Sequence, residues 1–142
     1  VLTPLVRATV LGLALLLGAG CDRMREVKRC RTLARQVNTS LDNIEAASKP
    51  GPTRAGYQAI ASEYDAIAHG LDGFDAGAPE LQRVVGEYAA LARNSARQST
   101  AFADALAAGN GASAMLASRE LERLARHEKL LVTRIDEECR PK

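Results

Sequence analysis

Four stretches of the chain repeat their apolar residues at alternating steps of three and four, and none alternates with period two. Such a stripe can be buried only along one side of an α-helix, so the spacing predicts an all-α fold. In the first stretch the stripe is Val27, Cys30, Ala34, Val37, Leu41, Ile44 and Ser48, and Lys49-Pro50-Gly51-Pro52 ends it. The second carries Tyr57, Ile60, Tyr64, Ile67, Leu71 and Phe74, with Thr53 placed to cap its start. The third has Pro79 in its first turn and Leu81, Val84, Val85, Tyr88, Leu91, Ser95, Phe102 and Leu106 on one face, and Gly109-Asn110-Gly111 stops it. The fourth runs through Ala117, Leu121, Leu124, Glu128, Leu131, Ile135 and Glu138, broadened by Leu130 and Val132.

These limits predict helices over roughly 22–48, 53–74, 79–108 and 112–139. The connections are short, which favours neighbours that reverse direction, so the expected assembly is an antiparallel up-down-up-down four-helix bundle. A three-helix bundle with one fused pair is the alternative. With 46% hydrophobic residues, 4% aromatic residues and no Trp in 142 positions, the core must be built from Ala, Leu, Val and Ile, which suits closely packed helices. A net charge of +2 gives no reason to expect a nucleic-acid partner.

The residues before the first helix have a different character. Arg7 is the only charge before residue 22, and Ala8 to Leu17 is apolar over a length that suits the core of a secretory signal and falls short of the roughly 20 residues a spanning helix needs. Leu17-Gly18-Ala19-Gly20-Cys21 resembles the lipobox of bacterial lipoproteins, with Leu four positions before the cysteine and Gly18 where Leu is most common. The resemblance covers the leader alone. It implies a signal peptide over 1–20, cleavage before Cys21 and a lipid on the Cys21 thiol, hence a protein anchored in the bacterial cell envelope and facing the periplasm. Asp22 resembles the inner-membrane retention signal of some enteric lipoproteins, a rule that differs between lineages, so the choice of membrane stays open. The competing reading is a plain secreted protein with a chance cysteine.

If Cys21 carries lipid, Cys30 and Cys139 remain, and an even pair in an oxidising compartment reads as a disulfide. In the antiparallel topology the start of helix 1 and the end of helix 4 lie at the same end of the bundle, so the two cysteines face each other there. The alternative is two free thiols, one at a seam position and one near a frayed terminus. Charge points to the same end: Arg23, Arg25, Lys28, Arg29 and Arg31 open helix 1, while Asp136, Glu137 and Glu138 close helix 4, each opposed to its own helix dipole. Side by side, the two clusters would compensate one another; the basic cluster could equally lie on anionic headgroups.

Chemical motifs are sparse. His127-Glu128-Lys129-Leu130-Leu131 begins like a zinc-protease helix but has Leu where the second histidine ligand belongs. Asp65, His69 and Asp72 share a helix face but lack a fourth ligand for a structural metal site. A haem held by Met24 and His127 fails on height, because the two differ by about 27 Å along the bundle. No cofactor and no metal are therefore expected. Asn38-Thr39-Ser40 fits a glycosylation sequon but falls inside a helix. The one polar feature on a seam is Glu128, which counting from the cysteine clasp levels with Tyr64 and Ser95. These three form either a register-fixing polar layer or the anchor of a small-ligand pocket. The expected function is that of a non-enzymatic interaction or scaffolding module with an envelope protein partner; the alternative is a small-ligand sensing or carrier bundle.

Overall fold

The computed structural model describes the backbone of residues 4–140 and the side chains of residues 22–140. The signal-peptide reading of 1–20 and the lipid reading of Cys21 therefore lie outside the described side chains. Four helices follow one another: α1 (Pro4–Ser48), α2 (Arg54–Asp72), α3 (Pro79–Ala107) and α4 (Gly111–Glu138), with no strand among the described residues. They form the expected antiparallel four-helix bundle. α1 begins well before residue 22, because nothing between Pro4 and Pro50 breaks it. Gly18 and Gly20 each cost a helix about 1 kcal/mol, which long flanking runs of good helix formers outweigh.

The ends of the other helices follow local chemistry. The Thr53 hydroxyl accepts from Gly56 N at 3.1 Å at the start of α2, and the Asn110 side chain accepts from Ser113 N at 3.1 Å at the start of α4. Pro79 occupies the first turn of α3, where its missing N–H is not needed. Gly109 takes φ +63° in the turn that reverses the chain between α3 and α4.

α2 packs between α1 and α3, and α3 between α2 and α4. The backbones of α1 and α4 converge at Cys30 and Cys139 and at no other place among the described residues. This changes the buried stripe of α1. Val27, Ala34 and Ser48, expected on the seam, are exposed, whereas Leu33 is fully buried and Ser40 is buried. Covered by α2 on one side and left open toward α4, α1 turns its buried face toward α2. Gly70 on α2 leaves room for the Gln36 side-chain amide of α1, whose nitrogen a Cβ there would meet at 1.4 Å. The seams of α2 and α3 face the core as the spacing predicts, buried except for half-buried Tyr57, Phe74 and Leu106. Leu33, Val37, Ile67, Tyr88, Leu124 and Leu131 belong to one continuous core. The Tyr57 and Phe102 rings meet at 4.3 Å between α2 and α3. In the polar middle of α3, Ser99 is fully buried and its hydroxyl has no hydrogen-bond partner among the described residues.

Segment 73–78 joins α2 to α3 and is tied to both neighbours. Gln82 donates from its side-chain amide to the Phe74 carbonyl at 3.1 Å and accepts from Ala76 N at 2.9 Å. Asp75 accepts from Gly77 N at 2.9 Å and from the Arg29 guanidinium of α1 at 2.8 Å. Gly77 sits at φ +79°, and a Cβ on it would lie 2.1 Å from Arg29 Nη1. Gly77→Ala therefore imposes left-handed strain and displaces Arg29 from Asp75. It is expected to lower the unfolding free energy by about 1–2 kcal/mol, measured by urea titration.

Candidate functional site

Two places hold polar groups against the core: the clasp where α1 meets the end of the chain, and a layer centred on Glu128. At the clasp the sulfurs of Cys30 and Cys139 are at bonding distance, with Cα atoms 5.7 Å apart, across 109 positions of sequence. This is the pairing expected from antiparallel topology. Beside it opens a cavity of about 440 Å³, floored by Val27, Cys30, Ala78, Leu81 and Cys139 and rimmed by charged side chains that include Glu26 and Glu138.

Part of the charge in the basic cluster is matched outside the acidic end of α4. Arg29 pairs with Asp75 in the α2–α3 connection, and Arg25 lies 3.9 Å from Asp22 of its own helix. Asp136 and Glu137 are exposed, while Glu138 borders the clasp cavity with Arg23 and Arg140. The reason is topological. Segment 73–78 shares the end of the bundle with the start of α1, and its Asp75 stands nearer Arg29 than the acidic end of α4 does.

The Glu128 layer is assembled from three helices. Glu128 is half-buried on α4, and its two carboxylate oxygens accept from different phenols: Oε2 from Tyr64 of α2 at 3.1 Å, and Oε1 from Tyr88 of α3 at 2.8 Å. Tyr64 was expected in the layer. Ser95, also expected, is buried on α3, but no described contact joins it to Glu128, and Tyr88 takes that place. Counting back equally from the Gly109–Asn110 turn sets Glu128 opposite about Leu91, one turn from both Tyr88 and Ser95. A phenol spans that turn and a serine hydroxyl does not. The signal for Tyr88 was present in its seam position; what level counting omitted was side-chain length.

Burial raises the Glu128 pKa above its ordinary value of 4.5, against the pull of the Tyr88 and Tyr64 hydrogen bonds, which favour the anion. Both phenols are pushed well above the ordinary tyrosine range, first by their own burial and then by the neighbouring Glu128 charge, so they stay protonated donors. The layer is thus one acceptor held by two donors, all supplied by this chain. None of the three described cavities is lined by Tyr64, Tyr88 or Glu128.

The remaining polar candidates are dispersed. His69 directs Nδ1 to the Asp65 backbone carbonyl at 2.8 Å, and Asp72 binds Arg93 of α3 at 2.6 Å, so the Asp65, His69 and Asp72 side chains do not converge. Among the described residues no group of three His, Cys, Asp or Glu could hold a metal ion. Met24 and His127 are both exposed. An exposed network links α3 to α4, where Arg134 reaches Glu87 at 2.9 Å and Glu80 at 3.3 Å while Arg83 binds both acids. The Arg83 hydrogen bond holds the Glu80 carboxyl below its ordinary pKa.

No protein-family model matches the chain, and comparison with curated proteins and with solved structures finds no match.

Glu128→Leu removes the acceptor and leaves two buried phenols unpaired, at about 1–3 kcal/mol for each such group. It is expected to destabilise the fold, and Tyr64→Phe with Tyr88→Phe in the same chain should restore most of the loss. Recovery in the triple variant, read by urea unfolding, separates a lost hydrogen bond from lost packing. The raised pKa sets a second expectation. A carboxyl held above its ordinary value favours the proton in the folded state. Its contribution is therefore complete below about pH 4.5 and is lost as pH rises through the folded value. The stability advantage of the parent chain over Glu128→Gln should shrink across that interval in unfolding titrations from about pH 4 to about pH 8.

Proposed function

We propose that this chain is a lipid-anchored protein of the bacterial cell envelope that acts by binding, as an interaction or scaffolding module facing the periplasm. The observation that supports the reading is the Cys30–Cys139 pair at bonding distance. Such bridges persist in oxidising compartments, and this one uses both cysteines of the bundle, leaving Cys21 as the remaining thiol. Cys21 precedes Cys30 by nine positions on the same helix, about 13 Å along its axis, so an acyl chain on Cys21 would place the clasp end toward the membrane. Among the described residues no helix is long and apolar enough to cross a membrane.

Binding is favoured over catalysis because the strongest buried polar cluster is closed on itself. Both Glu128 oxygens are engaged by phenols of the same chain, which leaves them poorly placed to move a proton on a substrate. Contact area for a protein partner is available along α4, where Met115, Leu116 and Leu130 are each more than half exposed. At 100° per residue Leu116 and Leu130 fall within about 40° of one another around the helix, on one outward face.

Acylation is tested by producing the full chain in bacteria with a radiolabelled fatty acid, alongside Cys21→Ser. Label should enter the parent chain and not the variant, and blocking signal peptidase II should cause the unprocessed form to accumulate. An unlabelled parent chain that migrates identically with and without the inhibitor would refute the anchor.

A further inference from the structure

We infer that the groove between α1 and α2 at the clasp end is a binding site for the phosphate-bearing headgroups of anionic phospholipids. The inference rests on the anchored reading for its choice of ligand source, but its observations are independent of acylation. Two cavities adjoin at Thr32. One, of about 320 Å³, is lined by Arg25, Lys28, Arg29, Thr32 and Phe74; the other, of about 410 Å³, continues along the same flank of α1 past Arg35 and Thr39.

Helical geometry gathers these charges. Positions 25 and 28, and 29 and 32, are three apart, while 25 and 29, and 28 and 32, are four apart, so the four side chains share one flank. The first cavity has three cationic side chains in its wall and no carboxylate. Asp75 engages one nitrogen of Arg29, which leaves the guanidinium further donors, and Asp22 stands 3.9 Å from Arg25 with both side chains more than two thirds exposed. Lys28 has no ion pair among the described residues. The lining of this cavity supplies donors and no acceptor carboxylate of its own. Guanidinium and ammonium groups together suit phosphate oxygens, by forked and point-charge contacts respectively.

Phe74 identifies the source of the phosphate. Half-buried, it is the one aromatic residue in the cavity lining, apolar surface that a free phosphate ion has no use for and that the glyceryl and upper acyl part of a phospholipid would cover. Height agrees. Arg25 to Arg29 lie about 6–12 Å along the helix from Cys21. Headgroups occupy about 5–8 Å beyond the hydrocarbon on each side of a bilayer, so this flank would enter that layer when the chain is anchored.

The test uses the full chain with Cys21→Ser throughout, so that no acyl chain contributes, and compares partition onto vesicles of phosphatidylcholine alone with vesicles containing an equal share of phosphatidylglycerol. Arg25→Gln with Lys28→Gln removes two groove charges and spares the Arg29–Asp75 pair. Arg119→Gln with Arg126→Gln removes the same charge from the exposed face of α4. Helix content and protection of Cys30 and Cys139 from thiol reagents verify the fold of each. The expected result is preference for the anionic vesicles that falls roughly thirtyfold in the groove variant, about fivefold for each charge, and persists in the α4 variant. Equal losses in both variants would assign the preference to net charge and overturn the site, as would no preference at all.

Inorganic phosphate alone, followed by amide chemical shifts around Lys28, separates the two sources. Shifts without vesicle preference would give the groove to soluble phosphate and overturn the lipid assignment, whereas shifts alongside the preference support the headgroup phosphate as the recognised group. A chain that fails to acylate yet keeps the groove-dependent preference refutes the anchor and leaves this site standing. An acylated chain without the preference does the reverse.

Discussion

The bridge between Cys30 and Cys139 ties the first helix to the end of the last, and among the described residues their backbones come together nowhere else. Elsewhere the backbone of α1 packs along α2, and that of α4 along α3. A chain connected only in that sequential way can open at either edge. Closing 109 positions into one loop contributes about 4–5 kcal/mol in the chain-entropy account, comparable with the whole stability margin of many small domains. The 5.7 Å between the Cα atoms falls within the range that disulfides normally span, so the backbone meets there without having to be drawn together. The consequence is a bundle covalently shut at one end and sealed by side-chain packing and a short turn at the other.

That asymmetry arranges the remaining polar features. At the shut end, segment 73–78, the opening of α1 and the end of the chain crowd together, and charge is matched locally between Arg29 and Asp75. Higher in the bundle, α1 and α4 have separated, and Glu128 draws its partners from the two middle helices. Tyr64, Tyr88 and Glu128 thus link α2, α3 and α4 by directional bonds where the rest of the core relies on shape. A carboxylate in an Ala- and Leu-rich interior is costly to desolvate, and two buried phenol donors offset that cost while fixing how the three helices are aligned.

Particular residues mark how far the sequence could be read. Thr53, Pro79 and the Gly109-Asn110-Gly111 turn act on their own immediate neighbours, so their effects on helix ends were legible. The seams of α2 and α3 were legible as well, because these helices are covered on two sides and any apolar stripe on them is buried. Ala34 was misplaced since its burial depends on whether α4 comes alongside α1, and it does not. Tyr88 was missed and Ser95 included because residue counting locates backbones, whereas the Glu128 contact is decided by the reach of a side chain.

The sequence by itself determined four helices, their reversals and the end at which the two bundle cysteines must meet, since period, breakers and short connections act over a few residues at a time. Only the tertiary structure decided which flank of α1 is buried, which tyrosines hold Glu128, and that Arg29 answers to Asp75 rather than to the acidic end of α4. Those outcomes depend on the distances between helices. Such distances emerge from the packing of all the side chains at once, including the close approach at Gly70 and the covalent closure at Cys30 and Cys139.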